Sequence, residues 1–585
     1  MARASDPKPP AETPDEQRRT LQRLGGDKGL SLSERLTARL AASLYASPLH
    51  ALRLRGQHPL KLVGVAADPV PGNPVIGERI VAGRLIHAGH TAMTRDLDFA
   101  APSHPLGWRQ WADSWLWLRD LAALRQPIEA AAAVAEPLVV RWLARFESFE
   151  PQAWRADVTG QRLLMALGHA PIILSSADQD YRTRLLSAMA TWARHLDRAA
   201  GRLPEGLGRA TALAGLWAAG LLIPGGESRA ARALAGLEAL LGRLVMPDGG
   251  VASRAPCDAL ALADLLLHAG AAAEAVGGRP PLAFADALAR LVPGLRGMAL
   301  GDGIIGAWAG SAAIAPAILD RLARQAPSGA ALNHGGEGSG YHRLSAGKTV
   351  IVVDAGPPAL ARLAPEGHAG TLAFEMSDGD QRLITNCGGV RGLASLLPGP
   401  LAAGLRTTAA HSTLVIADTN STRIREDGTL GLGVETVSVE QRSSGDGLWL
   451  EASHDGYARR FGLTVARRLW LAPDGLDLRG EDIIDHAASG LLKRRTPRAF
   501  DVRFHLGTNI AATPTADGTG ALLKLANGRV WAMKAKVGGS TTVAIEPSLW
   551  IGPDGVMAKT QQLVISGKTE NGRATIGWSF RRAGK

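Results

Sequence analysis

The hydrophobic period of this chain changes once, and that change divides it into two kinds of fold. From about residue 30 to 325, apolar residues recur at helical spacing; after about residue 335 they alternate. A helix-period pattern does not settle as a strand, so an all-α half should precede an all-β half. In the first half, "SLSERLTARLAASLYAS" (31–47) opens on a serine cap and sets Leu32, Leu36, Leu40 and Leu44 at spacing four. "PLGWRQWADSWLWLRDLAAL" (105–124) predicts a helix with Trp108, Trp111, Trp115 and Leu118 on one face and Asp113 and Asp120 opposite. Comparable units lie near 137–147, 160–176, 179–200, 207–220, 227–246, 256–276 and 281–293. Loops such as "IPGGES" and "MPDGG" separate them, which predicts antiparallel helical hairpins. Without a fixed repeat, an irregular array fits better than a regular solenoid.

In the second half, "YHRLSAGKTVIVVDAG" reads as two strands around an SAGK turn. "RRLWLAPDGLDLRGED" (467–482) is a hairpin on Pro-Asp-Gly, and "ALLKLANGRVWAMKA" (521–535) one on Asn-Gly. Many short strands with almost no helical segment predict a large antiparallel β-sandwich over 341–585. The Gly-rich stretch 326–340 reads as the linker, 31–325 as the helical domain, and the polar, Pro-rich residues 1–30 as a flexible N-terminal segment.

Composition narrows the function classes. With 46% hydrophobic and 20% charged residues the chain is a globular protein, and 585 residues exceed one ordinary core. The net charge of +11 suits a polyanionic partner, although the Ala-, Gly- and Arg-rich coding of a GC-rich genome gives the same charge. The densest basic patch, "LLKRRTPRAF" (491–500), reads as a loop; no block of five basic residues and no aromatic–basic interleaving points to nucleic acid. Cys257 and Cys387 form no CxxC, so neither a disulfide scaffold nor a thiolate zinc site is expected. No apolar h-region opens the sequence and no run of about 18 apolar residues suggests a membrane span. The oligomeric state is open.

Several segments together resemble the heparinase II/III-like polysaccharide lyases: "GYHRLSAGKTVIVVDAG" (340–356), "HAGTLAFEM" (368–376), "RLITNCGG" (382–389), "TAAHSTLVI" (408–416) and "HDGYARRFG" (454–462). "GHAPIIL" (168–174), "MPDGGVASRAP" (246–256) and "GDGIIGAWAG" (301–310) extend the likeness into the helical half. The resemblance implies an N-terminal incomplete α/α toroid, a C-terminal antiparallel β-sandwich, and cleavage of an acidic, uronate-containing glycan by β-elimination without a cofactor or metal. The alternative is a non-catalytic or altered acidic-glycan-binding protein on the same fold. The family's usual place is the periplasm or cell envelope, whereas a chain without an export signal begins in the cytoplasm.

β-Elimination needs the uronate carboxylate neutralised, a base for the α-proton and an acid for the leaving oxygen. The resemblance places His368 at the histidine that opens an LSFE-like strand, here LAFE, as a catalytic residue. Strand alternation would set it beside the small Gly370, leaving room for a sugar ring; a histidine at a strand edge, satisfied by a carbonyl, is the structural alternative. His411 aligns with an HNT-like motif, in catalysis or in ordering the loop below the site. Tyr341, near the domain junction, is a candidate acid or a packing residue. Substrate-binding candidates are His169, Arg254, Arg406, Tyr457, Arg459 and Arg460, each with a core or solvated-surface alternative. The sequence also departs from the family. "GRLPEGLGRATALAGL" (201–216) carries no Asn, His or Tyr, and Val251 stands where similar sequences carry His.

Overall fold

A computed structural model of the protein describes residues 19–22, 43–124, 127–326, 338–391, 397–487, 496–537 and 542–584. Residues 31–42 of the helix expected over 31–47, most of the linker (327–337) and residues 491–495 of the basic patch 491–500 lie outside the described residues.

Helices fill the first half, from Pro48–Leu54 to Pro316–Ala323. At its centre Leu207–Leu222 packs against Ala156–Gly168 backbone to backbone: a Cβ at Gly215 would lie 2.2 Å from the Gly160 carbonyl oxygen. Glycines are what let these two axes approach so closely. On its other side, Gly220 meets Ala230 of Glu227–Leu244 in the same way. Before residue 300 the described residues add one short hairpin, Arg84–His87 with His90–Met93, and the strand Arg19–Gln22. Among the described residues, Pro256–Glu274 is long and apolar enough to cross a membrane, but 67% of that window is buried inside the helical domain.

The Trp-rich stretch departs from expectation. It forms two helices, Leu106–Asp113 and Trp117–Ala122, broken where Trp115 adopts φ +59°. The break turns Asp113 inward, where it accepts from the Trp142 indole at 2.8 Å; burial pushes its carboxyl up to about 6. Arg162, also buried, stacks between Trp142 and Trp192 and donates to the Asp113 and Ala153 carbonyls. Asp113, expected on the face opposite the tryptophans, is thus buried, as is Arg162.

The second half is an antiparallel sandwich. One nine-stranded sheet runs Arg19–Gln22, Thr436–Ser444, Gly447–His454, Leu463–Leu471, Asp477–His486, Ala574–Arg582, Val530–Val537, Gly520–Lys524 and Ala511–Pro514. The facing sheet runs Val543–Ile551, Met557–Lys568, Ala499–Leu506, Gln381–Thr385, Phe374–Asp378, Thr349–Asp354 and Tyr341–Ala346, with Leu414–Ile416 paired to Ala499–Leu506. All three hairpins read from the sequence are present. Phe374, Phe504, Trp578 and Phe580 fill the space between the sheets. Within the segment expected to be flexible, Arg19–Gln22 pairs with Val439–Thr436 and seals an edge of the larger sheet.

Polar contacts fasten the halves together. Asp248 accepts from the Ser339 backbone and hydroxyl, and Arg343 donates to the Gly297 and Ala299 carbonyls. Arg382 bridges Asp302 and Glu375, while Arg391 pairs with Asp258.

Candidate functional site

Two imidazoles meet where loops of the sandwich face the toroid. His368 does not open a strand: residues 368–373 are irregular, Leu372 takes φ +65°, and the strand begins at Phe374. His411 follows the short turn Thr408–Ala410. Arg467, fully buried and paired with Asp482, fixes both loops by donating to the Leu372 and Ser412 carbonyls at 2.8 Å each.

The hydrogen bonds define the tautomers. Thr407 offers only a carbonyl to His411 Nδ1, at 2.7 Å, so that nitrogen carries the proton. His411 Nε2 therefore accepts, at 3.0 Å, from His368 Nδ1–H. His368 Nε2 is left as a buried lone pair without a hydrogen-bond partner. Burial and the neighbouring His411 hold His368 well below its ordinary range, and burial holds His411 down to about 4, so both rings are neutral at pH 7. The space above Gly370 is taken by His411, whose Cδ2 lies 2.6 Å from where a Cβ would stand. That glycine makes room for a histidine and not for a sugar.

Most of the other residues singled out in the sequence are held by contacts of their own. Tyr341 is buried and donates to the Arg254 carbonyl at 3.0 Å. Arg254, at φ +59°, lies over the Tyr341 ring, pairs with Asp354 and donates to the Ser339, Gly356 and Pro357 carbonyls. It clamps the two domains together. Arg406 donates to the Pro365 and Gly367 carbonyls and so holds the loop leading into His368. Tyr457 is buried with its hydroxyl on the Thr419 carbonyl at 3.1 Å. Arg459 and Arg460 are exposed on the short turn Ala458–Phe461, and Arg460 lies over the Phe461 ring. His169 is buried beside Asp68, 3.3 Å away, in a toroid cluster with Arg119. The charges of Arg254 and Arg406 are thus spent on a carboxylate and on carbonyls.

Near the loop that leads into His368, the toroid presents Gly206, Leu207, Leu244, Val251, Ser253 and Asp258 around a small cavity that Leu363 of the loop also lines. Leu363, five residues before His368, reaches over to Gly206 at 3.6 Å from a Cβ there. Tyr45 donates to the Arg198 carbonyl, and Tyr181 is buried inside the toroid, so each of the four tyrosines is packed away from this wall or already donating. Among the described residues, no group of three or more His, Cys, Asp or Glu side chains is placed to hold a metal ion.

Sequence reading missed the network beneath the pair. Asn386 accepts from the Ser412 backbone and donates to Glu375, while Ser412 Oγ accepts from the His505 backbone. His505 Nε2 reaches the Ala409 carbonyl, and its Nδ1 faces Ser548 at 2.8 Å and Cys387 at 3.5 Å. These partners are 11 to 118 residues apart in sequence, beyond any local pattern.

A helical toroid closed onto an antiparallel sandwich is the architecture of the heparinases. The structure of heparinase III superposes with a TM-score of 0.68 over 96% of this chain and 93% of that one, at 12% identity. That of heparan sulfate lyase HepC from Pedobacter heparinus does so with 0.56 over 96% and 92%, at 14% identity. Residues 329–579 match the family described as heparinase II/III-like, C-terminal. FtsZ-localized protein C of Caulobacter vibrioides (strain NA1000 / CB15N) is 30% identical over 566 residues, covering 92% of this chain and 93% of that protein. The chain belongs to the heparinase II/III-like family.

Proposed function

We propose that this chain is a non-catalytic member of a polysaccharide-lyase family, an assembly protein that works where FtsZ is found. One observation carries the reading: of the four tyrosines, Tyr45, Tyr341 and Tyr457 already donate to backbone carbonyls and Tyr181 is buried inside the toroid, so none is placed to act as the acid. β-Elimination needs a carboxylate-neutralising group and a proton donor around the same sugar. Here the arginines nearest the pair are consumed by protein carbonyls. The 30% identity with a protein named for its FtsZ localisation, over nearly the whole length of both, supports the cellular side of the reading.

A second reading, an acidic-glycan lyase, keeps one observation in its favour. His368 Nε2 holds an unshared lone pair, as a base would. Incubation with heparan sulfate, heparin, alginate and hyaluronan, scanned for the ultraviolet absorbance of an unsaturated uronate, separates the two. The assembly reading expects no chromophore, and a fluorescent fusion that overlaps labelled FtsZ in dividing cells. A chromophore abolished by His368→Ala would make the protein a lyase. A diffuse fusion would remove the FtsZ association.

A further inference from the structure

The solvent face of the nine-stranded sheet carries a row of side chains remote from the histidine pair. The register sets Arg442 opposite Trp449, Trp449 opposite Trp470, and Trp470 opposite Arg479. It continues from Arg479 to Ser579 and from Ser579 to Lys534. Directly opposed side chains share a face, so six strands contribute to one line about 24 Å long. Trp449 is 43% exposed. Its ring lies 6.0 Å from that of Trp470 at 52°, and the Arg479 guanidinium sits 4.7 Å over the Trp470 ring. Arg442 pairs with Glu440 at 2.6 Å and Arg479 with Asp477 at 2.9 Å. In the adjoining row Arg468 is held between Glu451 and Glu481, whereas the tryptophan row itself carries Arg442, Arg479 and Lys534 and no carboxylate.

We propose that this row is a docking surface for an acidic protein segment that carries apolar side chains between its carboxylates. Tryptophan and arginine are the residues that dominate the centres of protein interfaces, and a half-exposed indole gains by being covered. A guanidinium stacked on a ring is already oriented and loses little freedom on meeting a carboxylate. The same geometry disfavours sugars and bases. The indoles are tilted, and Arg479 covers one of them, so no continuous plane is left for successive rings to stack upon. Because the row lies on a sheet face, where backbone groups are already paired, the partner docks through side chains and not as an added strand. The inference rests on the assembly reading above and gives it a surface.

The test uses the full chain and a fluorescently labelled synthetic peptide of alternating Glu and Asp with Leu and Phe, read by anisotropy. A twin peptide with Lys for each acid and a heparin-derived oligosaccharide accompany it. The acidic peptide should bind and the twin should not. Trp449→Ala and Arg479→Glu should each weaken binding at least tenfold, and Arg84→Glu on the distant hairpin should not. Melting curves confirm folding; Arg479, 59% exposed, carries the test should Trp449→Ala fail to fold. No binding of the acidic peptide, equal binding by both variants, or Trp449-dependent binding of the oligosaccharide alone would overturn the proposal. The lyase and localisation assays do not touch this face, so failure here and failure of the assembly reading are separate results.

Discussion

An imidazole occupies the space a side chain at Gly370 would need, and the contact is with a ring that is itself hydrogen-bonded on both nitrogens. Gly370→Ala should therefore overpack the site and cost about 1–3 kcal/mol, read as a lowered urea midpoint. An unchanged midpoint would mean that His411 can move aside freely. His411→Ala should cost more than about 2 kcal/mol, because it leaves both a cavity and a buried His368 Nδ1–H without an acceptor. If His411→Ala is as stable as the parent, the pair is not a structural unit. The sequence made His368 and His411 visible as unusual residues, but their partnership was not legible. They are 43 positions apart, and the bond depends on loops that Arg467 holds from a third place. Arg254 and Arg406 show the same limit. A cation reads identically in sequence whether it meets a ligand or a row of carbonyls.

At the scale of elements, local chemistry was a faithful guide wherever the turn itself carried the signal. Pro-Asp-Gly and Asn-Gly fixed their hairpins because only certain residues accept the turn conformation; Gly475 and Gly528 stand at φ +72° and +83°. The Trp115 break had no such marker, since tryptophan is a poor occupant of the left-handed region and only the surrounding packing pays for it. The strand Arg19–Gln22 was hidden for another reason: four residues give too short a pattern to recognise, and their partner lies over four hundred positions away. That strand covers the edge formed by Thr436–Ser444. Removing residues 1–22 should uncover a row of unpaired backbone groups and promote self-association. Light scattering of the truncated chain should then rise with concentration, whereas the full chain stays unchanged. A truncated protein that remains monomeric would show that this edge is protected by other means.

The whole molecule is built with buried, neutral histidines, and this sets its response to acid. Burial lowers His268, His411 and His454 to about 4 each, and His195 and His505 to about 3. In the unfolded chain each returns to roughly 6.5. As pH falls through that value, the unfolded state takes up protons that the folded state refuses, so stability declines until the folded pKa is reached. Set against that value, these depressions correspond to roughly 3–5 kcal/mol per histidine at the bottom of the window. Asp113 works in the opposite direction. Raised to about 6, it protonates in the folded state first and returns some stability below that pH. Burial raises Asp120, Asp264, Asp354 and Glu375 as well, but among the described residues these five carboxyls are outnumbered by ten histidines that burial lowers. Urea midpoints should therefore fall steadily from pH 7 to 4.5, with a slope that reports net uptake of several protons on unfolding. His454→Phe, which removes one of these sites from the sandwich core, should make the slope shallower by close to one proton even where it changes the midpoint at pH 7. A flat profile across that interval would mean the rings are reached by water and already titrate normally in the folded protein.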